Sequence, residues 1–342
     1  MNVEGSNPFA RSKFSSPASL WMPGFFVAGF REFGVIPRMR LRHHIKDHNK
    51  PEFTAALDKL GIRYRTKAIG GADQVVAWDC FDLSVYDDDP KWPLLRDLAA
   101  EHSVRIWHSP VFTNEDITSA PWLLASASAD AGYPQPEDGF GYESESFDLS
   151  HCCRRCGIGK VQTSAIRLRG EPKSKAAHFF APQWLHQIVF IRPQVRDVFK
   201  AEDVSGVRYL APLSHRTGRA LETALQILPT TSAGAGLVGS VQEQVACSPT
   251  DEEMSRIKIP SSAWVTAADS YCQRIKYHVP NRRRLVHYSR STFDGAPDIL
   301  HTAEWFGSGC AAAQFVVVSN KVARLVLDHK WKGLELEPIH LV

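Results

Sequence analysis

The sequence predicts an α+β protein in two parts, the second built around a zinc-ribbon-like knuckle. Three observations carry this. Short helical stripes alternate with strand-like runs from Met39 onward, and a polar connection follows near residue 126. The stretch "HCCRRCGIGK", residues 151–160, then sets Cys153 and Cys156 at knuckle spacing, with Gly157 behind them to let the turn close. The expected organisation is an N-terminal extension over 1–38, a small α+β domain over 39–125, a linker over 126–150 and a CXXCG-type α+β domain over 151–342.

Each element has a local cause. "MRLRHHIKDHNKPEF" reads as a strand leading into a helix over Pro51 to Leu60. Pro51 suits a first turn, Phe53, Leu57 and Leu60 make one apolar stripe, and Gly61 ends it. "IRYRTKAI" and "QVVAWDCFDL" flank a "GGAD" turn and predict a hairpin. "PLLRDLAAEH" is a helix and "VRIWHSPVF" a strand. Thr113 is placed to cap a following helix, with Asp116 three residues on. After the linker, "KVQTSAIRLRG" and "GVRYLAP" read as strands, and "RALETALQIL" fits either strand or helix. The close is the best patterned part. "AAAQFVVVS" is a strand ending on Ser319, a natural N-cap, and "NKVARLVLDHKWK" is a helix with Val322, Leu325 and Val326 inward. Gly333 stops it, and "LELEPI" is a closing strand.

The extension has its own explanation. Gly5-Ser6-Asn7-Pro8 can be encoded GGT-TCG-AAT-CCC, which spells the T-loop of a transfer RNA gene. The expectation is therefore a spurious leader with the true start at Met22 or, better, Met39. A disordered tail is the alternative.

A net charge of +3 on 342 residues argues against a dedicated nucleic-acid binder, while leaving room for a local patch. Seven cysteines make an odd and sparse set, which fits a reducing cytoplasm better than a secreted disulfide framework. The longest apolar run, "LWMPGFFVAGF", is broken by Pro23 and Gly24 and falls short of the roughly 18 residues that cross a bilayer. The expected location is cytoplasmic, with no membrane partner.

A zinc site needs four donors, and the knuckle supplies two. The best second half is "SYCQRIKYHVP", where Cys272 stands as a knuckle's first cysteine and Ile275 occupies the second position. His278 and His287 follow it; His151 and Cys152 flank the first half. Four readings stay open. Zinc is held by Cys153, Cys156, Cys272 and a histidine, with His278 as the named fourth ligand. Or the site has lost its metal and packs as an apolar turn. Or a metal is held with Cys152. Or the C-x-x-C pair does redox chemistry, although no helix clearly follows it to lower a thiol pKa.

Arg282, Arg283 and Arg284 form the one basic run and are the candidate partner-binding residues. No zincin, nucleophile-elbow, P-loop or dinucleotide signature is present, so the sequence favours a non-catalytic chain.

Residues 150–342 resemble a bacterial family known by its double CXXCG motif. The resemblance rests on "CRRCG" at 153–157, on "YCQRIKY" as a degenerate second motif, and on the close "FVVVSNKVARLVLDHKWKGLELEPI". It implies paired knuckles that meet in space. Members of that family include immunity proteins that neutralise toxins from neighbouring cells, so it also implies a protein partner, with a toxin as the leading expectation. A zinc-ribbon regulatory or nucleic-acid-binding module and an enzyme with an unrecognised site are the alternatives; nucleic acid is the less favoured partner.

Overall fold

A computed structural model describes residues 40–48, 50–69, 78–153, 155–173, 176–185, 187–238, 244–246, 272, 274–277, 285–307 and 311–342. The expected extension over 1–38, His278 and Arg282, Arg283 and Arg284 lie outside the described residues. The protein is α+β, with helices and strands in mixed sheets.

Alternation of apolar and polar residues builds the first unit. Its elements run β1 (Arg40–His48), α1 (Pro51–Lys59), β2 (Arg65–Ile69), β3 (Trp78–Tyr86), α2 (Trp92–Glu101) and β4 (Ile106–Val111). The sheet order is β2-β3-β1-β4, with every neighbour antiparallel. This is the split β-α-β-β-α-β arrangement. Both helices cover one face, where Phe53 and Leu57 of α1 and Leu95 and Ala99 of α2 meet Ile45, Phe81, Leu83 and Val85 of the sheet. Because strand side chains alternate, the residues between them point to the other face. Leu60, expected on the inward stripe of α1, follows its last helical residue and is exposed, since the helix ends at Lys59.

A short helix α3 (Asn114–Ser119) follows, held by a complete capping box: Thr113 Oγ1 accepts from the Asp116 amide, and Asp116 accepts from the Thr113 amide. Next comes β5 (Trp122–Ala127). The sequence suggests that the first domain ends here. Instead β5 is the middle strand of a five-stranded sheet, between Leu334–Leu341 and Val316–Ser319, with Val286–Tyr288 and Ile299–His301 at the edges. The 126–150 stretch is not a bare connection either. It hydrogen-bonds to residues 167 and 181, contains a short helix Tyr142–Ser146, and buries Tyr142. Local composition reads as linker because these contacts are made with residues far along the chain.

A four-stranded sheet, in the order Val207–Leu210, Leu225–Pro229, Val189–Ile191, Phe179–Phe180, shares a core with the five-stranded one. Leu123, Val316 and Val318 on one side meet Phe179, Val189 and Ile227 on the other, and the helices Pro193–Ala201 and Asn320–Asp328 close it. On the closing helix Val322, Ala323 and Val326 are the buried positions, and Leu325 is only partly so. Ser319 has the N-cap conformation, yet its hydroxyl donates to Asp298 Oδ1 at 2.7 Å and does not cap the helix. Gly333 has φ +94°, and a Cβ there would lie 2.1 Å from the Phe179 carbonyl oxygen, so only glycine fits.

Candidate metal centre

The knuckle is a tight turn made by backbone hydrogen bonds. The Gly157 amide donates to the Cys153 carbonyl at 2.8 Å, and the Cys153 amide donates to the Ile158 carbonyl at 2.9 Å. Gly157 has φ +76°, a conformation that glycine adopts without strain. Gly159, at φ +97°, leaves room for the other half: a Cβ there would stand 2.3 Å from the His151 carbonyl oxygen and 2.7 Å from Arg274 Nη1.

Into this turn comes Cys272, more than a hundred residues later. The Sγ atoms of Cys153, Cys156 and Cys272 lie within 4.8 Å of one another, and Cys156 Sγ and Cys272 Sγ are 3.6 Å apart. Three close cysteines, two buried and one partly buried, could hold a metal ion. The spacing suits one. Two thiolates on a tetrahedral zinc, each about 2.3 Å from it, stand about 3.8 Å from each other. Ile158, Ala312 and Trp305 pack around the sulfurs and make the surroundings apolar.

Electrostatics divide the thiols. Burial raises the Cys272 thiol, but the amide and guanidinium of Arg274 and the hydrogen bonds from Cys153 and Cys156 outweigh it and bring the group down to about 7. Cys156 goes the other way, pushed up by burial and by its hydrogen bond to Cys272. Arg274 also donates to the His151 carbonyl at 3.0 Å, tying the two halves together. Lys276 is buried, and its Nζ donates to the carbonyls of Cys156 and Ala311. Neither cation was among the site residues read from the sequence; both sit within four residues of Cys272, and that proximity was the available signal.

The other candidates go elsewhere. Cys152 turns away to pack with Leu149 and Phe147, where burial raises it to about 11, so it is not part of the thiol group. His151 meets the site through its backbone carbonyl. His287 stands in a parallel ladder beside His340, ring centroids 4.9 Å apart, outside the thiol group.

A second constellation lies in the first unit, under α2. His43 and His108 face each other across β1 and β4 with their Nδ1 atoms 2.6 Å apart, so one nitrogen donates and the other accepts. His43 stacks on Trp92 at 3.5 Å. They border a cleft of about 510 Å³ with Leu41, Asp87, Arg96 and Ile106. Alternation in β1 puts His43 on the covered face, but its partner is 65 residues away and carries no local signal.

No helix among the described residues is long and apolar enough to cross a membrane. No family model matches the chain, and no curated protein matches it.

Proposed function

We propose that this is a non-catalytic protein-binding protein whose two chain halves are stapled by one zinc ion, and that its role is to neutralise a toxin. The observation that supports the zinc is the thiol triad: Cys153, Cys156 and Cys272 come from segments more than a hundred residues apart, and their sulfurs are spaced for one ion. Zinc would neutralise the thiolates and tie a turn that has little apolar core of its own. With three thiolates the centre carries one net negative charge, which Arg274 and Lys276 stand ready to offset. The partner class rests on the resemblance to the double-motif family, and the cytoplasm is the compartment in which such thiols stay reduced.

Two measurements test this. Protein purified without added chelator should carry about one zinc per chain. Calorimetric titration with the product of the neighbouring gene should show a stoichiometric complex. An empty site in freshly purified protein sinks the zinc reading. A full site with no complex sinks the partner alone.

A further inference from the structure

The face of the first sheet turned away from its two helices carries a pattern that the zinc centre does not use; Cys80 is buried in it and Arg42 and His44 are half-buried, while Lys46, Arg65, Asp82, Ser84 and Trp107 are exposed. Register sets three rows across it. Trp107, His44 and Ser84 stand side by side on β4, β1 and β3. Ser109, Arg42 and Tyr86 form the row on one side of it, and Lys46, Asp82 and Arg65 the row on the other, with β2 supplying Arg65. Neighbouring strands are about 4.8 Å apart, so the rings and the cations interleave at the scale of a nucleotide.

Charge on this face is in positive excess. Arg40, Arg42, Lys46, Arg65 and Arg105 are opposed by Asp82 within the sheet, by Glu335, which acts on His44 from outside it, and by Asp88, which pairs with Arg40 at 2.6 Å. Trp107 is 53% exposed, the one exposed large apolar residue among those of this sheet whose side chains are described. The Arg105 guanidinium lies 5.3 Å from its ring centroid, and that of Arg40 lies 4.1 Å from the Tyr86 ring.

We propose that this face binds single-stranded nucleic acid, with bases stacked on Trp107 and its ring neighbours and the phosphate backbone running along Arg42, Lys46 and Arg65. An aromatic platform set among cations is the common chemistry of sites that hold unpaired strands. An acidic polypeptide would use the cations and leave the Trp107 ring idle. A duplex keeps its bases stacked inside and could offer only phosphates. The small net charge of the whole chain is no obstacle, because the excess is local. The inference stands apart from the zinc centre and from the proposed protein partner.

The test uses the full chain and a fluorescein-labelled oligothymidine of about 12 nucleotides, a length within the range such folds cover. Anisotropy should show binding that weakens between about 50 and 200 mM salt, with log K falling against log salt at a slope of roughly −2 for three phosphate contacts. Trp107→Ala should raise Kd about tenfold, the size of one lost base stack. Lys46→Gln and Arg65→Gln, both exposed, should each flatten the slope by about 0.7. Circular dichroism confirms that each variant is folded. Absence of binding at the lowest salt overturns the proposal. So does an unchanged Kd for folded Trp107→Ala. Equal affinity for poly-glutamate would make the face an acidic-peptide site, and equal affinity for a blunt duplex would leave only phosphate attraction; either result rejects stacking of single strands.

Discussion

Lys276 Nζ donates to the carbonyl oxygen of Cys156 at 3.0 Å from a side chain that is 2% exposed. A second bond, 3.1 Å, goes to the carbonyl of Ala311. One amino group therefore joins the knuckle, the strand Ile275–Tyr277 and the segment entering the closing strands. Two buried carbonyls that would otherwise lack these donors are the reason a lysine can be tolerated here.

Lys276→Met keeps the length of the side chain and removes every donor. The unfolding free energy should fall by about 2–4 kcal/mol, from two carbonyls left without this partner. Zinc should also be held about 10- to 100-fold less tightly, as is usual when a group that orients a ligand is lost. Urea unfolding and competition with a chromogenic chelator check the two parts. A neutral substitution would show that the knuckle holds itself.

The closing helix gives a packing test. Val322, Ala323 and Val326 face the core shared by the two large sheets, while Leu325 lies at its margin. Val326→Ala should cost about 2 kcal/mol, and Leu325→Ala less, although leucine loses more carbon. Equal or reversed costs in denaturant unfolding would mean that the helix is rotated from this placement.

How much of this could be read from the sequence depends on distance along the chain. Spacing alone places Cys153, Cys156 and Gly157 in a turn, the Thr113 and Asp116 pair at a helix start, and the hairpin of β2 and β3. Helical periodicity finds the closing helix and its inward side, with Val322 and Val326 buried and Leu325 packed at the margin of the core. The insertion of β5 between two C-terminal strands has no local trace; its ladder partners, Val316 to Ser319 and Leu334 to Pro338, are about 200 residues away. Ser319 looks like a cap by type and position, but Asp298 takes its hydroxyl, a competition visible only once the strands are assembled. The site follows the same rule. Cys272 is suggested by a motif resemblance, whereas the roles of Arg274 and Lys276 depend on carbonyls more than a hundred residues earlier.

Stability should depend on His301 in acid. Burial alone lowers its pKa from 6.5 to about 4. A histidine held neutral in the folded state contributes its full share above the unfolded pKa. As pH falls below 6.5 the unfolded chain binds the proton first, and stability drops until the folded state also protonates near pH 4. The loss across that window is about 3 kcal/mol. His301→Asn removes the titration, so its unfolding midpoint should change less than the parent's between pH 7.5 and 4.5. Parallel losses in both proteins would assign the acid sensitivity to other groups.

The fourth donor of the metal centre is the remaining test. The described triad offers three thiols, and a structural zinc takes four ligands. The sequence names His278 for the fourth place, a residue outside the described ones. His278→Ala should therefore lower zinc retention under chelator challenge, while the thiolate charge-transfer band of the cobalt-substituted protein keeps its intensity. Unchanged retention in His278→Ala, together with loss of zinc in Cys153→Ser, would reject the histidine and give the fourth place to another donor.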